Sequence, residues 1–466
     1  MNTPAPPAPS DVPPDVPAGG DGARAERSAP VPQGRASRFL HLGRAVGEMA
    51  LGAAAQGLSQ LAQGQRPSWS DVMLSADNAR RLAERLSQMR GAAMKLGQLM
   101  SMDGQGVLPQ PFADLLSRLR DQAHTMPALQ LAEVLEREYG EGWHRRFKRF
   151  SYAPIAAASI GQVHRAETHE GGVLALKIQY PGVRRSIDSD VANLALLMRV
   201  PGLVPAGLDL APLLEHVRQQ LHHETDYLAE AQALTSYRQA LGEGGDAADF
   251  VVPEVHTAHS TGHILALGFL DGHPLDRLAQ PDQPQALRDR VAEALCRLAI
   301  RELFEMRLVQ TDPNFGNYLF EPLTQRIGLL DFGATQAVSP ERVEAFRTLA
   351  RALRDDDVPR IDAQARAIGF IGEADTAAQA QGVIDLMREA GEVLRQRGPY
   401  DFGQSDLLTR LSLQGRAQLR DVGVGSVPPE DLVFLQRKFV GTFLMCTRLR
   451  ARVDVGALFA PVLDAA

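Results

Sequence analysis

Between Asp312 and Gly333 the sequence reads DPNFGNYLFEPLTQRIGLLDFG, and its polar residues stand at intervals that suit phosphate chemistry. Asn317 follows Asp312 by five residues, and an apolar run, Ile327 to Leu330, leads into Asp331, Phe332 and Gly333. This is the layout of a phosphotransfer loop. Moving a phosphoryl group needs magnesium held by hard oxygens against nucleotide phosphates. An Asn amide and an Asp carboxylate on adjacent loops can supply those oxygens. Asp312 would then stand where a hydroxyl nucleophile loses its proton. Asp-Phe-Gly by itself would say little, since Asp and Gly often only make turns. The five-residue spacing and the apolar lead-in carry the reading.

The upstream half points the same way. VLALKI, Val173 to Ile178, presents Lys177 near the end of an apolar strand. Alone, such a lysine would be read as pointing to solvent. Glu230, on the helix that follows in ETDYLAEA, is the carboxylate that could hold it toward phosphates. Before the lysine, where a glycine-rich flap would cover a nucleotide, stand Ala156, Ala157, Ala158, Ser159, Ile160, Gly161 and Gln162. Only Gly161 keeps the unhindered backbone that close phosphate approach favours, so the flap is expected to be stiff.

The elements that must position these residues follow from composition and periodicity. The chain has 466 residues, 44% hydrophobic and 23% charged, with a net charge of −7, which suits a globular protein and gives no basic stripe for nucleic acid. Residues 1–35 hold nine of the 30 prolines and hardly any large apolar side chain, so they are expected to be disordered. Residues 36–125 read as a helical extension, with Leu82, Leu86, Met89, Ala93 and Leu96 at helical steps. Met126 to Phe147 and Leu208 to Tyr237 read as helices. Val173 to Ile178, Phe250 to Val255 and His263 to Phe269 read as strands, and Ala156 to Arg165 as a turn-like stretch. From Gln285 onward the chain is almost all helix, except around Gln310 to Phe332. The fold class is therefore α+β in two lobes, an N-lobe over 126–268 and a helical C-lobe over 269–466. Cys296 and Cys446 lie in apolar helical patterns and offer no disulfide framework or zinc site. No stretch reads as a secretory signal or membrane span, so the expected location is the cytoplasm, with any membrane contact peripheral.

Three further signatures carry a family resemblance: the alanine-rich loop AAASIGQVH at 156–164, KxGQ at Lys95 to Gln98, and ExD at Glu224 to Asp226. With QTDPNFGN at Gln310 to Asn317, the chain resembles the UbiB-type atypical kinase-like family, related to AarF, and its coenzyme Q branch in particular. The resemblance spans roughly residues 30–450. It implies a two-lobed protein-kinase-like fold that binds ATP or ADP with Mg2+. Lys177 and Glu230 would form the nucleotide-orienting ion pair, Asn317 and Asp331 would bind magnesium, and Asp312 would take the catalytic-loop place. It implies nucleotide contact along Ala156, Ala157, Ala158, Ser159, Gly161 and Gln162. The KxGQ helices would fold over the site, so that Lys95 and Gln98 face Glu224 and Asp226 and block a peptide groove.

Expected partners are a small lipid-like substrate or proteins of quinone biosynthesis. Two rival readings stay open. One is a nucleotide-gated scaffold without turnover. The other is a protein kinase proper, which the short run from Gly333 into a helix disfavours. At the hinge, Leu267 and Gly268 stand where the family places a Met-Glu pair, which leaves base preference open.

Overall fold

The structure, a computed structural model, describes residue 95 and residues 125–198, 211–242, 248–423, 425–426 and 428–464. The proline-rich tail, nearly all of the helical extension, and Gln98 lie outside the described residues.

The first lobe begins with α1 (Ala128–Tyr139), which lays Leu131, Val134 and Leu135 on one face at helical spacing. A single 3-10 turn, Trp143–Arg146, leads into β1 (Arg149–Ala157), β2 (Gly161–Glu167) and β3 (Val173–Gln179). Then come α2 (Val183–Met198), α3 (Ala211–Glu224), α4 (Tyr227–Gly242), β4 (Phe250–Val251) and β5 (Ile264–Gly268). Strands β1, β2, β3 and β5 form an antiparallel sheet in that order. Alternation along β3 sets the direction of its side chains. Leu174, Leu176 and Ile178 are buried in one cluster with Leu131, Val134 and Leu135 of α1. Lys177 and Gln179 must therefore project from the opposite face, toward α3 and α4.

The second lobe holds β6 (His273–Pro274), α5 (Gln285–Arg301), one turn of π-helix over Glu302–Met306, and β7 (Leu308–Gln310). A 3-10 turn, Phe315–Asn317, opens β8 (Tyr318–Glu321), which pairs with β9 (Arg326–Leu329). The short β10 (Thr335–Ala337) then pairs back on β7. Helices α6 (Pro340–Asp355), α7 (Val358–Ile368), α8 (Ala377–Ala390), α9 (Glu392–Arg395), α10 (Leu407–Asp421) and α11 (Glu430–Leu449) complete the lobe, with α12 (Val455–Asp464) last. Among the described residues no helix is long and apolar enough to cross a membrane. The α+β class holds. One apolar cluster joins Ile160 of the alanine-rich loop, Tyr227 and Tyr237 of α4, Phe332, and Met445 and Cys446 of α11, so both lobes share a core.

Four expectations change. The helix expected over Met126–Phe147 stops at Tyr139, because Gly140 and Gly142 take positive φ, and only a 3-10 turn follows. The helix expected over 208–237 breaks at Thr225 and Asp226. Thr225 Oγ1 donates to the His222 carbonyl at 2.8 Å, and Asp226 Oδ1 accepts from Ala229 N at 3.0 Å, an N-cap that restarts the chain as α4. The stretch expected to be turn-like from Ala156 to Arg165 is mostly strand, because pairing of β2 with β3 imposes extended backbone on small residues. The strand expected over Phe250–Val255 shrinks to β4, since Pro253 follows, and it pairs in parallel with β9. A segment assigned by sequence to the N-lobe thus contributes to the C-lobe sheet, whose order is β4-β9-β8-β6.

Candidate active site

Lys177 reaches across to α4. Its Nζ donates to Glu230 Oε1 at 2.8 Å and Oε2 at 3.0 Å, and lies 3.9 Å from Asp331 Oδ1 and 5.3 Å from the centre of the Tyr227 ring. Burial works against the Lys177 charge, but Asp331 and Glu230 more than offset it and hold the ammonium well above its ordinary pKa. Burial pushes Glu230 up to about 7 against the pull of Lys177. Asp331 is more open, and its Oδ1 accepts from Gly333 N at 3.0 Å. A Cβ on Gly333 would come 3.3 Å from that oxygen, so the carboxylate would have to give by a few tenths of an ångström.

The segment Gln310–Asn317 is laced to the segment around Asp331. Gln310 Nε2 donates to the Asp312 carbonyl at 3.1 Å and the Asp331 carbonyl at 3.3 Å, while Thr311 N and Oγ1 both donate to the Ala334 carbonyl. Asn317 Nδ2 donates to the Asp312 carbonyl at 2.9 Å, so the amide nitrogen is occupied within the loop and its oxygen stays available to a cation. Among the described residues no three His, Cys, Asp or Glu side chains cluster as a metal site. Two hard oxygens, from Asn317 and Asp331, are a donor set that fits magnesium, which takes its remaining ligands from phosphates and water.

The Asp312 carboxylate is buried and gripped on both oxygens. Lys95 Nζ lies 3.4 Å from Oδ2, and Arg437 Nη2 of α11 lies 2.5 Å from Oδ1. Burial alone would raise its pKa; Lys95 and Arg437 overcome that and hold it below the ordinary carboxylate value. Arg437 was not among the residues the sequence singled out. It stands 125 positions from Asp312, and nothing local marks it. The next residue, Lys438, forms a buried ion pair with Glu302, which also accepts from Tyr237 Oη at 2.5 Å. Helix α11 is thus anchored to Asp312 and Glu302 by two consecutive buried cations.

Lys95 also pairs with Glu224 Oε1 at 2.5 Å. Burial would lower the Lys95 pKa, but Asp312 and Glu224 together raise it. Asp226 instead caps α4, so the two acids of ExD have different tasks. The alanine-rich loop is a tight turn in which Ala158 N donates to the Gly161 carbonyl at 2.9 Å and Tyr180 N to the Ile160 carbonyl at 2.9 Å. A Cβ on Gly161 would sit 2.3 Å from the Ile178 carbonyl, which explains the single glycine. Ala156 and Ala157 are exposed at the end of β1, and Ala158 and Ser159 are half-buried. Gln162 is a correction. Its side chain turns inward, where Oε1 accepts from Met126 N at 2.8 Å and Nε2 meets His164 Nε2 at 2.7 Å. His164 Nδ1 faces the Ser151 carbonyl at 2.8 Å and so carries the proton, and burial lowers the ring's pKa. Strand alternation put Gln162 on the face of His164 and Ala166, away from the cleft.

Residues 118–365 match the ABC1 atypical kinase-like domain model. The chain is 34% identical over 94% of its length to "Atypical kinase COQ8, mitochondrial" of Saccharomyces cerevisiae, covering 86% of that protein. The chain belongs to the ABC1, or UbiB/AarF-type, atypical kinase-like family. Another member, "Atypical kinase COQ8B, mitochondrial" of Rattus norvegicus, is 34% identical over 93% of this chain and 81% of its own. Among solved structures, Rv3197 of Mycobacterium tuberculosis in complex with erythromycin matches with a TM-score of 0.55 and 23% identity. The match spans 84% of this chain and 96% of that one, a likeness of fold alone. In this atypical kinase-like chain the segment after Gly333 passes through β10 straight into α6, whose N-cap Ser339 accepts from Arg342 N at 3.2 Å.

Proposed function

We propose that this chain is an atypical kinase or ATPase that binds Mg-ATP or Mg-ADP in the cleft between its lobes. It would support ubiquinone (coenzyme Q) biosynthesis by acting on a small lipid-like substrate or by ATP-driven assistance to the biosynthetic proteins. The observation that carries this reading is the convergence of the buried Lys177–Glu230 pair with Asp331, 3.9 Å from the lysine. Relatives that bear the name atypical kinase COQ8 support the biosynthetic setting.

In this reading Glu230 fixes Lys177 so that its ammonium orients nucleotide phosphates. Asn317 and Asp331 would hold magnesium, which supplies charge stabilisation to the transferring phosphoryl group. Gln310 Nε2 donates to both the Asp312 and the Asp331 carbonyl and so ties the two backbones together. Asp312 would receive the proton of an attacking hydroxyl or water only after Lys95 or Arg437 lets go of it. The gripped Asp312 and the short run from Gly333 to α6 argue against a protein kinase that docks peptides. The same grip favours a second reading, a nucleotide-gated scaffold without turnover.

Phosphate release from Mg-ATP, with and without anionic lipid vesicles, separates the two readings when measured beside Asp331→Asn. Turnover that the variant lacks, together with its loss of magnesium-dependent nucleotide binding by calorimetry, supports the enzyme. Unchanged nucleotide binding in Asp331→Asn refutes the metal role. Binding without turnover in any condition supports the scaffold.

A further inference from the structure

Ser159 was expected to touch nucleotide, but its hydroxyl has another task. Ser159 Oγ donates to Glu224 Oε2 at 2.7 Å, while the other oxygen of the same carboxylate pairs with Lys95 at 2.5 Å. The turn does not need that bond to keep its shape. Ala158 N to Gly161 O, Tyr180 N to Ile160 O, and the Ile160 side chain buried in the shared core already hold it. Glu224, by contrast, needs partners. It is the last residue of α3, where the negative end of the helix dipole repels a carboxylate. A hydroxyl on one oxygen and an ammonium on the other fix its rotation.

We propose that Ser159 is a positioning residue that aims Glu224 at Lys95, coupling the alanine-rich loop to the cation that caps Asp312. The line runs Ser159, Glu224, Lys95, Asp312, Arg437, each link a hydrogen bond or ion pair. Displacement of the loop when phosphates enter beneath it would be passed along that line and would loosen the cap. The proposal deepens the kinase reading and rests on it for its catalytic consequence.

The test reads Lys95 directly. Purified chain, residues 1–466, is pulsed with an acetylating reagent, and Lys95 modification is followed by peptide mass spectrometry, with phosphate release from Mg-ATP measured in parallel. Ser159→Ala should raise the Lys95 acetylation rate about fivefold, the factor one such hydrogen bond is worth. Ser159→Thr, which keeps the hydroxyl, should restore it. Glu224→Gln should raise it at least as much, and adding Ser159→Ala to Glu224→Gln should change nothing further. An unchanged rate in Ser159→Ala overturns the proposal, and so do effects of the two substitutions that multiply. If the labelling pattern holds while no variant releases phosphate, the coupling stands and the enzyme reading falls. If turnover is present but both it and labelling ignore Ser159→Ala, the coupling falls and the enzyme reading stands.

Discussion

Arg437→Met removes one of the two cations on Asp312 while keeping much of the side chain's volume. Arg437 Nη2 lies 2.5 Å from Asp312 Oδ1, both side chains are over nine-tenths buried, and Nη1 reaches Gln220 Oε1 at only 3.4 Å. At an effective dielectric of about 20, opposite unit charges about 3 Å apart attract by roughly 5 kcal/mol. Relief of the arginine's desolvation offsets part of that, and Lys95 stays 3.4 Å from the other oxygen, so about 2–3 kcal/mol of stability should be lost. For a chain of 466 residues, with an unfolding entropy of about 2.1 cal/mol/K per residue, that is a fall in Tm of roughly 2–3 °C. Calorimetric unfolding at pH 7.5 in low and high salt is the assay, and the shift should persist in high salt because the pair is screened from solvent. A double-mutant cycle with Asp312→Asn should return a coupling of about 2 kcal/mol. A Tm within about 1 °C of the parent, or strict additivity in the cycle, would falsify the idea that Arg437 balances a buried Asp312 charge.

Gln162→Leu should cost about 2 kcal/mol, because Met126 N and His164 Nε2 lose a buried partner, yet leave nucleotide affinity unchanged. A weakened nucleotide affinity in calorimetry would return Gln162 to the cleft. Glu302→Gln strands the buried Lys438 and should cost about 3 kcal/mol by denaturant unfolding; a change below about 0.5 kcal/mol would contradict the buried pair. The pH dependence follows from three shifts. The lowered Asp312 pKa gives stability present above its ordinary 3.8 and lost as pH falls through the folded value, and the raised Lys95 pKa gives stability lost only above 10.5. The cap is therefore constant between about pH 5 and 9. Glu230, raised to about 7, favours the native state at low pH and loses that contribution as pH rises from 4.5 through 7. Glu230→Gln should flatten the slope of Tm against pH in that window, and an unaltered slope would count against the buried protonation.

Asp312, Asn317, Asp331 and Gly333 could be singled out in the sequence because their spacing is a short-range property, contained in one loop, one hairpin and one turn. Lys177 could be singled out for a related reason, since it is the one charged residue in the otherwise apolar run Val173 to Ile178, but the run does not name its partner. The KxGQ and ExD signatures marked Lys95 and Glu224 but not how the two acids of ExD divide, which depended on Asp226 competing for the backbone of the next helix. Gln162 was misread because a local motif placed it on the loop, whereas strand register against β3 turned it into the core. Arg437 was invisible, since a cation far along the chain reaches Asp312 only once α11 has packed in place. Ser159 and Glu224 met for the same reason. Motif spacing and side-chain chemistry are properties of neighbouring residues and survive in the sequence. Which charge is buried against which is settled by long-range packing, where the loss of solvation forces each carboxylate to find a cation or a hydroxyl.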